Sequence, residues 1–202
     1  MVAAAREAGR RAESFGADVT DPADAARLVE EVVATFGAID VLVNSAAVFI
    51  RSPFLDATDD EFEAAWKQSF ETNLLAPARL ARAAAPVLKA RRGAIVNIID
   101  VGATRAWPSY AHHTAAKAGL AHLTRTLSVA LGPEVRVNGV SPGIAMFPDD
   151  MPEHQRNALI QKTALERPGT ADDIGAAVVF LASQPYITGA ILPVDGGWGV
   201  GD

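Results

Sequence analysis

Cysteine is absent from this 202-residue chain, which excludes disulfides and thiolate chemistry and fits a cytoplasmic setting. Positive charge is in deficit: 18 Lys and Arg face 24 Asp and Glu, a formal net charge of -6. That balance gives no electrostatic support to a nucleic-acid partner or to an anionic membrane surface. No apolar run approaches the ~18 residues that a membrane span needs, and the longest candidate, Ala176–Ala182, reads as a short buried segment. The start, Met1-Val2-Ala3-Ala4-Ala5-Arg6-Glu7, shows no basic region followed by an apolar core, so no signal peptide is expected. Histidine is scarce as well. His112, His113, His122 and His154 do not pair with carboxylates at zinc-motif spacing, and no metal is expected.

What is present is an ordinary globular balance, 50% hydrophobic and 21% charged, with no repeat, linker or low-complexity tract. The length is enough for one domain over 1–202 with a sizeable core. Val2–Ala8 reads as a short helix ended by Gly9, and Arg11–Val19 as a strand. Asp21-Pro22 has the form of an N-cap with proline at the first helical position. Leu28, Val29, Val32, Val33 and Phe36 then recur at helical spacing until Gly37. Ile39–Val43 is a β-branched strand. Thr58 and Glu61 have capping-box spacing and open a helical region to about Ala90, which Pro77 and Pro86 should bend or divide. Strands at Ala94–Ile99, Val135–Val140 and Ile191–Val194 alternate with helices at Tyr110–Leu131, Glu153–Lys162 and Ala171–Ser183. Strands apolar throughout and separated by helices predict a Rossmann-like α/β doubly wound parallel sheet covered on both faces.

Such sheets bind ligands beyond the carboxyl ends of their strands. There stand Asp18-Val19, Asn44-Ser45-Ala46-Ala47, Asp100 and Ser141-Pro142-Gly143, joined by Asn73 and by the helix carrying Lys117. Further along are Ile95-Val96-Asn97-Ile98, Lys117-Ala118-Gly119, Arg136-Val137-Asn138 and Val194-Asp195-Gly196-Gly197. Each piece alone is weak, but together and in this order they cover nearly the whole chain. The chain resembles a short-chain dehydrogenase/reductase. Within that family it is most similar to pteridine reductases, on Ile98-Ile99-Asp100, Phe147-Pro148-Asp149-Asp150 and the stretch from Thr163 through Arg167-Pro168-Gly169-Thr170 to Asp173.

The resemblance implies an oxidoreductase that transfers hydride from NADP or NAD to a C=N or C=O bond of a small molecule. It implies Lys117 as the catalytic lysine that bonds the nicotinamide ribose. Four residues before it, on the same helix face, the family has a proton-transferring tyrosine; this chain has His113. His113 is either a working acid–base group, since imidazole titrates near neutral pH, or the mark of a decayed site. Tyr110 lies too far along the helix to substitute without a shifted helix start. Asp100, where most of the family has serine, either orients a substrate ring or His113, or is simply a capping aspartate. Asn73 corresponds to the asparagine that holds a relay water through a local helix distortion.

For the cofactor, the resemblance implies Asp18 and Val19 at the adenine and Asn44 and Ala46 in the strand-end run. Pro142, Gly143 and Ile144 correspond to the loop beside the nicotinamide. Ser45 and Ala47 depart from the family run, and a methyl at Ala47 narrows a place where the cofactor passes close to backbone. Trp107 and Phe147 fall in the loops that line the substrate pocket. No G-x-x-x-G-x-G phosphate-binding turn occurs near the start. The family's first two strands, central in its sheet, are therefore expected to be missing. Arg11–Val19 would then move beside Ile39–Val43 or pack irregularly, or a second chain would fill the gap, leaving an apolar edge. The family's habit of assembly implies a homo-oligomer, a dimer or tetramer. A non-catalytic binding or scaffold relative is the competing expectation.

Overall fold

Four short apolar segments pair in chain order into one parallel sheet: β1 (Val41–Asn44), β2 (Ala94–Ile98), β3 (Arg136–Pro142) and β4 (Ile191–Val194). The computed structural model describes residues 2–147 and 151–200. In-register pairing sets Val41 beside Ala94, Val96 beside Asn138 and Gly139 beside Ile191. Alternation splits the strands between two cores. Ile95 and Val137 pack with α4 (Ala76–Arg91), with α2 (Pro22–Phe36) behind it, while Val96 and Val140 pack with Leu181 of α7 (Ala171–Ser183). The chain has a Rossmann-like α/β fold with helices on both faces.

Local chemistry explains the element ends. The Asp21 side chain accepts the Ala23 and Asp24 N–H groups ahead of α2, and Gly37 closes that helix at φ 84. Thr58 and Glu61 form both bonds of a capping box on α3 (Asp59–Phe70). The predicted long helix is divided. A five-residue π-helical stretch, Glu71–Leu75, links α3 to α4, and the Ala76 N–H reaches back to the Glu71 carbonyl. Pro77 has no N–H to give the carbonyl of residue 73, so the ordinary ladder cannot continue there. Pro86 sits inside α4. The remaining helices are α1 (Val2–Glu7), α5 (Ala111–Ala130) and α6 (Glu153–Ile160).

One predicted strand is corrected. Arg11–Val19 forms no strand and packs irregularly, the second of the arrangements expected for it. Side chains hold it instead of a ladder: Arg6 donates to the Ala12 carbonyl, Arg27 to the Gly16 carbonyl, and Arg11 lies over the Phe36 ring at 4.7 Å. In consequence the outer edge of β1 is open, with Val41 and Val43 40% and 42% exposed. An apolar groove of about 300 Å³ runs along it, lined by Val19, Leu28, Val29, Ile39, Asn44 and Ala46 among others.

Candidate active site

A buried polar row fixes the floor of the site. The Asn44 amide donates to Asn97 Oδ1 at 2.8 Å, Asn97 donates to Thr124 Oγ1 at 2.9 Å, and Thr124 donates to the Leu120 carbonyl at 2.8 Å. This ties the end of β1 through β2 to α5. Asn44 Oδ1 is left buried and without a partner at the margin of the β1 groove.

The π-helical stretch turns Asn73 toward the loop after β1. Asn73 Oδ1 accepts the Val48 N–H at 2.9 Å and its Nδ2 donates to the Val48 carbonyl at 3.0 Å, so the amide orientation is set by backbone. His113, on the first turn of α5 and 2% exposed, places Nδ1 3.2 Å from that same carbonyl. A carbonyl only accepts, so Nδ1 carries the proton. The 3.4 Å approach of Asn73 Nδ2 to His113 Nδ1 is then a contact between two donors that share Val48. Nε2 of His113 is left as a buried nitrogen without a hydrogen-bond partner. It faces Asp100 Oδ2 at 3.8 Å, outside hydrogen-bond range but close enough for charge to act. The tautomer is therefore set by Val48 and not by Asp100, whose Oδ1 accepts the Gly102 N–H at 2.6 Å.

Lys117, one turn further along α5, is 3% exposed and donates to the Ile98 carbonyl at 2.8 Å. Burial lowers its amine from the ordinary 10.5 to about 8, with the Asp100 charge opposing the shift. Asn73, Asp100, His113 and Lys117 thus converge at the carboxyl ends of β1 and β2.

Rings enclose His113. Trp107 stacks parallel to it (9°, 6.4 Å between centroids) and on the buried Trp198 (27°, 5.8 Å). Phe49 meets His113 edge to face at 4.8 Å and stacks on Tyr110 at 4.3 Å. Sequence reasoning missed Phe49, and only its position five residues past the last asparagine of β1 offered a signal. Phe147 is not part of this cluster: its ring lies under the Arg156 guanidinium of α6, at 5.8 Å. The rest of its motif, Pro148-Asp149-Asp150, lies outside the described residues.

The other expected ligand positions are spread over separate cavities, with Ile144 in a different one from Asn44 and Ala46. Pro142 ends β3, the Gly143 N–H donates to the Val194 carbonyl, and the Ile144 carbonyl accepts the Gly169 N–H. A Cβ on Gly143 would lie 2.7 Å from the Asp195 backbone, which is why glycine stands there. Ala46 and Val19 line the β1 groove, while Asp18 is exposed and turned onto Thr20, whose N–H and hydroxyl hold its carboxyl below the usual range.

A family model described as enoyl-(acyl carrier protein) reductase matches residues 1–199. The chain belongs to the short-chain dehydrogenase/reductase family. It is 34% identical over 198 residues to an L-rhamnose 1-dehydrogenase (NAD(P)(+)) of a Sphingomonas species, covering 94% of this chain and 76% of that one. A 3-oxoacyl-[acyl-carrier-protein] reductase of Chlamydia muridarum is 35% identical over 175 residues, 84% of this chain and 69% of the relative. Among solved structures, a putative short-chain alcohol dehydrogenase from Sinorhizobium meliloti 1021 superposes with TM-score 0.91 at 29% identity, covering 99% of this chain and 81% of that one. A 7α-hydroxysteroid dehydrogenase complexed with NADH and 7-oxo glycochenodeoxycholic acid superposes with TM-score 0.90 at 26% identity, covering 97% and 78%. The family is one of NAD(P)-dependent oxidoreductases. No helix among the described residues is long and apolar enough to cross a membrane.

Proposed function

We propose that this chain transfers hydride between NADP or NAD and a C=N or C=O bond of a small cyclic substrate, in the manner of the pteridine reductases. The observation that carries the reading is the convergence of Asp100, His113 and Lys117. Nε2 of His113 is unpartnered and faces the Asp100 carboxylate, while Trp107 stacks over the same imidazole. Two buried atoms without partners, Asn44 Oδ1 and His113 Nε2, fit a polar ligand that runs from the β1 groove into the ring cluster. The dinucleotide would be held by Asn44 and Ala46, by the Pro142-Gly143-Ile144 loop and by Lys117 at the ribose, with Asp18 and Val19 at the adenine. When bound it supplies the hydride.

The chain's own residues handle the proton. With Nδ1 fixed on the Val48 carbonyl, His113 gains and loses its proton at Nε2. Asp100, 3.8 Å away, stabilises the charged imidazolium that protonates the reduced nitrogen or oxygen. Lys117, desolvated and with its amine lowered to about 8, would add positive charge beside the ribose. Asp100 and Trp107 would meet the substrate; Phe147, held by Arg156, would reach it only from the α6 side. We extend the reading to a dimer or tetramer in the cytoplasm, supported by the family's habit of assembly and the apolar edge of β1.

The test is NADPH binding by fluorescence or calorimetry, followed by turnover on dihydropterin-like cyclic imines. His113→Ala should lower kcat/KM by about 100-fold or more, and Asp100→Asn by roughly tenfold with NADPH affinity retained. A second reading, a non-catalytic binding or scaffold relative, draws on His113, which stands where the family has its proton-transferring tyrosine and whose Nε2 has no hydrogen-bond partner. No NADPH binding up to millimolar concentration would reject the reductase reading of this chain.

A further inference from the structure

We infer that Trp198, in the turn after β4, is a positioning residue that holds Trp107 parallel to the His113 imidazole; this rests on the reading of His113 as the group that moves the proton. Trp198 is 8% exposed, yet it belongs to none of the three apolar clusters among the described residues, which are built around α4, α7 and α5. Its ring partner is Trp107, at 5.8 Å between centroids and 27° between planes. An indole buried outside the core and against another indole is placed for that contact. The turn that carries it is built to stay still. The chain leaves β4 through Gly196 and Gly197 at φ 63 and 84, a left-handed pair that residues with a Cβ rarely adopt. Asp195 closes the turn from inside: Oδ1 accepts the Gly197 N–H at 2.9 Å, Oδ2 accepts the Gly199 N–H at 2.7 Å, and its carbonyl accepts the Trp198 N–H at 3.2 Å. From outside, the Leu165 N–H donates to the Gly196 carbonyl at 3.1 Å.

Trp107 lies in an extended stretch of loop before α5 and is only half-buried, so its plane is set by its neighbours. Phe49 and Tyr110 stand across it at 90° and 78°, and Gly102 lies beside it, where a Cβ would come within 3.0 Å of the indole. Trp198 supplies the near-parallel contact. In that orientation the Trp107 plane is 9° from the imidazole plane of His113, with 6.4 Å between centroids. An imidazole that tips about its Cβ–Cγ bond carries Nδ1 off the Val48 carbonyl and swings Nε2 away from Asp100. A parallel indole held beside it opposes that tilt. The row Trp198, Trp107, His113 therefore brings the rigidity of the turn after β4 to the nitrogen that exchanges the proton.

The experiment is a double-substitution cycle read on His113 itself, by NMR of the ring-labelled histidines of the 202-residue chain, without turnover. Trp198→Met keeps apolar bulk and loses the flat ring. It should move the His113 ring resonances in the direction that Trp107→Met moves them, and no further once Trp107 is already replaced. Trp198→Phe restores a flat ring and should keep the wild-type positions. Melting temperatures show which variants are folded. Asp21→Ala, destabilised at a distant helix cap, should leave the His113 resonances in place. In turnover, Trp198→Met should lower kcat/KM by about tenfold, the scale of a stacking contact, with no added loss in the Trp107→Met background. Unmoved His113 resonances in Trp198→Met, effects of the two substitutions that simply add, or resonances displaced in Trp198→Phe as far as in Trp107→Met would each overturn the inference. Because the resonances are read directly, a chain that shows the coupling but no hydride transfer defeats the proposed reaction alone. One that turns over with His113 indifferent to Trp198 defeats the role of Trp198 alone.

Discussion

Lys117 is the residue where burial and charge compete most directly. Its amine is 3% exposed and held near pKa 8, so the folded chain binds fewer protons than the unfolded chain between pH 8 and 10.5. Below that window the native state carries the cost of a buried ammonium, and the cost is relieved as pH rises through it. At 1.36 kcal/mol per pKa unit, the displacement corresponds to about 3 kcal/mol. Urea unfolding of the wild type and Lys117→Met from pH 7.5 to 10.5 should therefore show the wild type gaining up to ~3 kcal/mol relative to the variant. A parallel pair of curves would contradict the burial account. His113 shows a different competition: Val48 and Asp100 both lie near its ring, and the backbone carbonyl wins the proton on distance, 3.2 Å against 3.8 Å.

At the scale of elements, capping chemistry decides boundaries that tertiary packing then uses. Asp21 satisfies two free N–H groups of α2 at 2.7 and 3.3 Å, and Ala25 and Val29 of that helix reach the core beside α4. Asp21→Ala should lower the unfolding free energy by about 1 kcal/mol, measured by urea denaturation, with dinucleotide affinity unchanged. The π-helical stretch has the opposite character. It interrupts a helix to aim Asn73 at Val48, and Pro77 enforces the interruption. Substituting Pro77 by alanine should allow a regular ladder and weaken the Asn73–Val48 pair, which faster hydrogen exchange of the Val48 amide would show.

At the scale of the whole molecule, the sheet is asymmetric. β2 and β3 are paired on both sides and buried, whereas β1 offers one open edge beside an apolar groove. Hydrogen exchange of the Val41–Asn44 amides that face away from β2 should be faster than anywhere in β2 or β3. The same edge is a pairing hazard. For the proposed oligomer to use this edge, Val43→Lys should reduce concentration-dependent association in sedimentation velocity; a wild type that sediments as a monomer, or an unchanged variant, would contradict it.

The sequence by itself determined the parallel α/β class, because fully apolar strands alternating with capped helices leave one architecture that buries both sheet faces. Asp21-Pro22 with Gly37, and Thr58 with Glu61, were legible because caps are local hydrogen bonds written in neighbouring residues. So was the grouping of Asn73, Asp100, His113 and Lys117, through their resemblance to a family pattern. The tertiary structure decided what depends on partners distant in the chain. Arg11–Val19 had strand-like spacing but does not pair with the open edge of β1, and arginine side chains hold it beside α2. Phe147 was placed under Arg156 of α6, and Phe49 beside His113 by a loop whose course follows from long-range bonds to Asn73, His112 and Ser109. A strand exists only where another strand receives its hydrogen bonds, and a pocket only where separate loops meet.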